Sequence, residues 1–183
     1  MSNPVDDNEL IFQFKNGNNR DSAFTQIIKK YQEKLYWHIR RMVIDHDDTH
    51  DILQNLFIKV WKNLDSFRED SQLYTWLYRI ATNETLTFLN SKKRKNLISF
   101  DNEIINLSNK IEADSHFDGN KLEWKLQLAI QKLPEKQRAV FNLRYYEEMP
   151  YEKMSKIFNT SEGALKASYH HAVKKIEQFI LNN

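Results

Sequence analysis

The stretch Tyr151–Leu181, YEKMSKIFNTSEGALKASYHHAVKKIEQFIL, constrains the chain most. It spells a short helix, a tight turn and a longer helix. Met154, Ile157 and Phe158 recur at i, i+3 and i+4 and so share one helical face. Asn159 and Thr160 are turn formers, and Ser161 is an N-cap whose hydroxyl can satisfy an orphan backbone N–H. Glu162 follows in the first turn, where a carboxylate suits the helix dipole. Leu165, Tyr169, Ala172, Val173, Ile176 and Ile180 then form an apolar stripe at helical spacing. The opposite face opens on Gly163, Ala164 and Ala167 and carries Lys166, Ser168, His170, His171 and Lys174. Small residues at the leading end let a helix enter a DNA major groove, while basic and hydroxyl groups reach phosphates and base edges. The same hairpin also serves as plain bundle core in many proteins. The pattern therefore defines a type of module and not the sequence it reads.

The rest of the chain suits an all-α fold. Three Gly, three Pro and scarce β-branched alternation leave few strand signals in 183 residues. Apolar content of 40% and charged content of 28% are those of an ordinary globular chain. The absence of cysteine excludes disulfides, thiolate metal sites and cysteine nucleophiles. No apolar run approaches the ~20 residues of a membrane span. The start MSNPVDDNEL has no signal-peptide core, so a cytoplasmic location is expected. A net charge of only +2 gives weak whole-chain attraction to nucleic acid. Any DNA affinity must come from local patches or from a partner.

Taken in order, residues 1–8 are polar and expected to fray, and Leu10–Phe14 reads as a short helix ended by Asn16, Gly17, Asn18 and Asn19. Asp21 or Ser22 can cap a long helix carrying Phe24, Ile27, Ile28, Tyr31, Leu35, Ile39 and Met42 on one face. The turn DHDDTHD, Asp45–Asp51, has two readings. His46, Asp47, Asp48, His50 and Asp51 are metal-ligand types. A solvated turn with an acidic helix N-terminus is the more common source of such a cluster, and no separate ligands stand at recognisable spacing. The helix expected from Asp48 to Leu64 has Ile52, Leu53, Leu56, Phe57, Val60, Trp61 and Leu64 around more than half its circumference. That stripe exceeds one packing face, so part of it can meet another protein. Asp51, Gln54 and Asn55 line a polar strip beside it.

A polar loop, Phe67–Tyr74, leads to a helix from about Thr75 with Trp76, Leu77, Ile80, Ala81, Leu86 and Leu89 as expected core. Arg79 and Asn83 share a face, and Lys92, Lys93, Arg94 and Lys95 end the segment. Bases outnumber acids between Phe67 and Asn96. Aromatics interleaved with bases suit a single-strand stacking surface, although a basic helix end also complements the dipole. From Leu97 to Lys121 the balance turns acidic, with Asn, Ser and Gly119. This reads as a linker that would reach about 80 Å extended and about 25–30 Å as a flexible coil. Leu126, Leu128, Ile130 and Leu133 then mark a helix before Pro134, and EKQRAVFNLRYYEEM a second one with core residues Val140, Phe141 and Leu143.

These segments resemble a known family. DDTHDILQNLFIKVWKNLDSF resembles region 2.2 of the ECF (group 4) sigma factors of the sigma-70 family, specificity subunits of bacterial RNA polymerase. FREDSQLYTWLYRIATNETLTFLNSKKRK resembles their promoter-reading regions 2.3 and 2.4, and LPEKQRAVFNLRYYEEMPYEKMSKIFNTSEGALKASYHHAVKKI their region 4. The resemblance implies two small helical domains, region 2-like over 10–96 and region 4-like over 122–181, joined by a flexible acidic linker, 97–121. It implies docking of Asp51, Gln54, Asn55 and Phe57 on the β′ clamp helices of core RNA polymerase, with the β flap as a second polymerase contact. The family more often has an acid where this chain has Asn55. Arg68, Ser71, Gln72 and Tyr74 would receive a flipped base of the −10 element. Trp76, Arg79 and Asn83 would border that strand, and Lys92, Lys93 and Arg94 would hold phosphates. Ser161, Glu162, Gly163, Lys166, Ser168, His170 and Lys174 would face the −35 element, after an entry through Pro150 where a polar residue is common. Promoter DNA and an anti-sigma factor are the other implied partners, and no cofactor or metal is implied.

Two other function classes stay open at this level. A stand-alone helix-turn-helix regulator would bind its operator without polymerase, but residues 10–95 show no sensing site. A metal-dependent hydrolase would need more than the His–Asp turn, since no glycine-rich phosphate loop, HExxH or nucleophile elbow is present.

Overall fold

The computed structural model describes residues 6–17, 19–95 and 121–182, and among these the chain is helical without a strand. The expected linker, 97–121, lies outside the described residues except for Lys121. The helices are α1 (Asp7–Asn16), α2 (Arg20–Val43), α3 (His46–Asn63), α4 (Leu73–Lys95), α5 (Lys121–Gln131), α6 (Glu135–Tyr145), α7 (Tyr151–Phe158) and α8 (Glu162–Asn182). A single 3-10 turn, Leu64–Ser66, follows α3.

The first four helices form one unit. Helix α1 starts earlier than its apolar residues suggest, because Asp7 and Glu9 suit its first turn and Asp7 accepts a bond from Tyr31 Oη at 2.5 Å. It stops at Gly17, whose N–H reaches Gln13 O at 2.9 Å. A Cβ there would sit 2.5 Å from that same oxygen, so the close approach needs glycine. Helix α2 begins at Arg20 behind Asn19, ahead of the expected caps Asp21 and Ser22. Its buried line of Ala23, Ile27, Tyr31, Leu35, Ile39 and Met42 follows the predicted stripe. The Arg20 guanidinium lies 4.1 Å from the Phe14 ring centre and 5.1 Å from that of Trp61, and it pairs with Asp65.

The acidic turn is the N-terminus of α3, two residues ahead of its expected start. Asp45 is the cap, accepting from Asp48 N at 3.1 Å, and Thr49 Oγ1 donates to Asp45 O at 2.5 Å. His46 and His50 meet edge to face beside Tyr36, whose hydroxyl is 2.9 Å from His46 Nδ1. The α2–α3 corner turns on Ile44 in the left-handed region, φ 64°. A β-branched residue pays about 1–2 kcal/mol there. Ile44 is nevertheless buried, packed against Leu128 of α5.

Leu128 belongs to the second unit, and that contact is part of a larger one. Ile52, Leu56, Leu77, Tyr78 and Ala81 share a single apolar cluster with Val140, Leu143, Met149, Met154, Ile157 and Leu165. Helix α4 packs on α6 and α7 as well as on α2 and α3. The buried face of α4 therefore differs from the expected one. Leu77 and Ala81 are buried as foreseen, but Trp76, Ile80, Leu86 and Leu89 are only half-buried. Tyr78, Thr75, Thr82 and Thr85 take the interior places. A second cluster, Ala129, Ile130, Leu133, Phe141, Ala172 and Ile176, holds α5, α6 and α8 together. Helix α6 ends at Tyr145, short of the predicted Met149, because the backbone reverses at Glu148 with φ 49°.

His38 is a buried titratable residue that the apolar pattern did not mark. Its Nε2 is 3.0 Å from Thr82 Oγ1 and its ring is 5.1 Å from that of Tyr78. Burial, and then the nearby Arg41 charge, push its pKa down to about 3. An unfolded His38 takes up a proton near pH 6.5, which the folded one refuses. The stability tied to neutral His38 is therefore complete above about pH 6.5 and is lost as pH falls toward about 3, at about 1.4 kcal/mol per unit. Between pH 7 and pH 5 the native chain should lose about 2 kcal/mol more than His38→Gln in urea denaturation. Equal losses would mean that His38 is hydrated.

Candidate nucleic-acid and protein interfaces

Three surfaces carry the residues singled out in the sequence. The first is on α3. Asp51, Gln54 and Asn55 are all exposed, and their spacing puts them on one line with Ile58 and Lys62. Phe57 does not join them. It is half-buried, packed against the main cluster, with its ring 6.4 Å from that of Phe24. The apolar group on the exposed line is Ile58, which is 46% exposed. Sequence reasoning passed over Ile58, although it stands four residues after Gln54, three after Asn55 and seven after Asp51 on the polar strip.

The second surface spans the loop before α4 and one face of that helix. Phe67 and Leu73 are buried at the two ends of the loop and fix its path. Lys15 Nζ donates to Phe67 O at 2.7 Å and lies 3.3 Å from Glu69, whose φ is 63°. Between these anchors Arg68 and Gln72 are exposed and Ser71 is half-buried. Trp76, Arg79 and Asn83 line one face of α4 below Gln72, which precedes the helix, with Arg79 and Asn83 open to solvent. The Trp76 ring leans on Phe67 at 5.0 Å, which leaves its outer side as an aromatic ledge between basic and amide groups. Such a ledge can stack a base.

Tyr74 lies on another side of α4. Its ring is 4.5 Å from that of Tyr78, and Lys153 of α7 sits 5.8 Å from its centre. The basic end of α4 is partly engaged too. Lys92 pairs with Asp48 at 2.5 Å and Lys93 with Glu135 of α6 at 2.6 Å. Arg94 is exposed. Tyr78, beneath Tyr74, has its pKa raised first by burial and then by its bond to Glu147, so it remains a proton donor.

The third surface is the helix-turn-helix. Pro150 leads directly into α7 in extended geometry, and Asn159 closes that helix at φ 49°. Ser161 Oγ then accepts from Ala164 N at 3.3 Å, which starts α8 as the sequence predicts. Gly163, Lys166, Ala167, His170 and Lys174 fall on one exposed face. A Cβ on Gly163 would meet nothing within 4 Å, so this leading face is open. Glu162 is 3.8 Å from Lys166, which also lies 5.6 Å from the Tyr151 ring centre. Ser161 spends its hydroxyl on the cap, and Ser168 sits half-buried off the line.

Two family models match the chain. The Sigma-70 region 2 family model fits residues 27–95, and the Sigma-70 region 4 model fits residues 123–176. The ECF RNA polymerase sigma factor SigW of Bacillus subtilis is 32% identical over 168 residues, covering 87% of this chain and 89% of the relative. The RNA polymerase sigma-H factor of Pseudomonas aeruginosa is 29% identical over 180 residues, 94% of this chain and 92% of that one. Among solved structures, CnrH in complex with the cytosolic domain of CnrY superposes with a TM-score of 0.69 at 22% identity, over 97% of this chain and 98% of that one. The sigma factor RpoE from Bartonella quintana, solved with the anti-sigma factor NepR, gives 0.65 at 21% identity over 86% and 96%. The chain belongs to the sigma-70 family of RNA polymerase specificity subunits. Within it, the chain is of the ECF type, a transcription-initiation factor in which region 2 and region 4 are matched.

Phe57 and Ile58 should separate cleanly in a stability measurement. Phe57→Ala, which empties a half-buried packing site, should cost about 1–3 kcal/mol in urea denaturation. Ile58→Ser should stay within about 0.5 kcal/mol of the native chain.

Proposed function

We propose that this chain joins core RNA polymerase through the exposed line of α3 and reads a promoter with two separate surfaces. Asp51, Gln54, Asn55 and Ile58 dock on the β′ clamp helices, where an apolar side chain ringed by polar ones suits a protein interface. The β flap holds the region 4 unit. Arg68, Ser71 and Gln72 receive an extruded base of the −10 element. Trp76 supplies a stacking surface, and Arg79 and Asn83 supply backbone and base contacts. Arg94 holds a nearby phosphate, and Lys92 and Lys93 do so once Asp48 and Glu135 are displaced from them. Helix α8 enters the major groove at the −35 element with its small-residue face first, and Lys166, His170 and Lys174 follow.

The observation that carries this reading is the coincidence of three solvent-facing lines, on α3, α4 and α8, with positions singled out by the family resemblance. The protein acts by binding and positioning, and it catalyses nothing itself. Its place is the cytoplasm, on the nucleoid when joined to polymerase. Among the described residues no helix is long and apolar enough to cross a membrane. Control by an anti-sigma factor fits as well, since the similar RpoE structure was solved with one.

The test is binding of the purified protein to bacterial core polymerase, followed by transcription from genomic fragments. Tight binding with defined start sites is expected, and no binding by the folded protein would overturn the reading. Two variants sharpen it. Ile58→Ala should weaken polymerase binding about tenfold with its stability kept. Lys166→Ala should reduce recognition of the −35 element more than of the −10 element, and lower the salt slope of DNA binding by about one. Equal losses at both elements would remove α8 from the groove.

A further inference from the structure

One ammonium from α1 holds the loop ahead of α4. Lys15, in the last turn of α1, donates from Nζ to Phe67 O at 2.7 Å and to Glu69 Oε1 at 3.3 Å. These partners lie 52 and 54 positions away in the chain. The Lys15 side chain is 24% exposed, so water screens the contact only in part. Its base is firmly placed. Phe14 beside it is buried, with the Arg20 guanidinium over its ring, and α1 ends two residues later at Gly17, where no Cβ fits.

What the ammonium grips is the entrance of that loop. Phe67 N–H is spent on Leu64 O at 3.2 Å, and the Phe67 ring is buried against Trp76. The Phe67 carbonyl then needs an acceptor's partner of its own, and Lys15 supplies it. Glu69 follows in the left-handed region, φ 63°, a conformation that a side chain keeps only where its surroundings hold it. The ion pair with Lys15 is such a hold. Leu73 anchors the far end of the loop by burial. The course of the chain through Phe67 and Glu69 therefore sets where Arg68, Ser71 and Gln72 stand relative to the Trp76 ledge.

We infer that Lys15 is a positioning residue for base selection: by fixing Phe67 O and Glu69 it shapes the loop of Arg68, Ser71 and Gln72, and with it the base that this loop accepts. The inference rests on the sigma-factor reading of the loop. Lys15 touches the loop backbone and not the base. Its bond to the carbonyl is charge-assisted, and so among the stronger hydrogen bonds. Discrimination between bases depends on hydrogen bonds to base edges, whose geometry tolerates little displacement. A role in stability alone predicts another outcome, a weaker fold with both promoter elements affected alike.

Lys15→Met keeps the aliphatic stem and removes the donor. With the full chain on core polymerase, promoter fragments substituted one base at a time give the discrimination at each position of the −10 and −35 elements. Lys15→Met should reduce discrimination at the extruded −10 base about tenfold, with −35 discrimination and affinity for core polymerase unchanged. Lys15→Arg keeps a charged donor and should restore most of it. Glu69→Gln leaves the carbonyl bond in place and should lose less than Lys15→Met. The free protein gives a second readout. Arg68 is exposed, and trypsin cuts after it faster as the loop loosens, so that cut, followed by mass spectrometry, should speed up about tenfold in Lys15→Met. Should circular dichroism show that this variant fails to fold, Lys15→Gln, with its shorter side chain, takes its place. Unchanged base discrimination in a folded variant would overturn the inference, and so would equal losses at both elements. A uniform loss over all bases, with the salt slope lowered by about one, would make Lys15 a phosphate contact and overturn it too. Failure of the native chain to join polymerase would instead overturn the sigma-factor reading, while the trypsin rates still decide whether Lys15 holds the loop.

Discussion

Helix α4 must satisfy two sets of neighbours at once, and the structure depends on how it divides its surface. One side, with Leu77, Ala81 and Thr85, closes the four-helix first unit. An adjoining side, with Tyr74 and Tyr78, meets the helix-turn-helix through the shared apolar cluster. What remains is the line of Arg79 and Asn83, open to solvent beside the half-buried Trp76 and the exposed Gln72 just ahead of the helix. A helix so fully used has little freedom to shift. The small and hydroxyl-bearing residues Ala81, Thr82 and Thr85 in its interior fit that demand, because they let three helices approach while Thr85 Oγ1 bonds to Ala81 O of its own helix.

The second unit explains why the contact forms. A unit of about 60 residues is near the lower limit for a self-sufficient core. Its own cluster around Ile130, Phe141 and Ile176 holds three helices. Met149, Met154 and Ile157 instead complete their burial in the cluster shared with the first unit. The strained Ile44 corner is covered in the same way by Leu128.

Much of the fold was legible because helical burial repeats every three to four residues. The stripe on α2, the pair of short helices around Asn159, the Ser161 cap and the core of α6 all followed from spacing alone. Helix ends were less legible. Asn19 and Asp45 begin α2 and α3 ahead of the expected positions, since several neighbouring residues in each turn can cap and only the chain's path selects one. The candidate site showed the same division. Asp51, Gln54 and Asn55 were readable as a polar strip, while the packing of Phe57 and the exposure of Ile58 were not, because an over-wide apolar stripe does not say which part of it a neighbour will cover.

By itself the sequence determined the helical class, the order of the two units, the family and the open faces of α3 and α8. These depend on local periodicity, capping and residue type, which neighbouring helices do not change. Only the tertiary structure decided that Tyr74 turns toward α7, that His38 is buried and neutral, and that Glu147 meets Arg41 and Tyr78. Those facts join residues up to 106 positions apart. Such long-range pairing is fixed by which apolar faces close on each other, a choice that no single stretch of the chain contains.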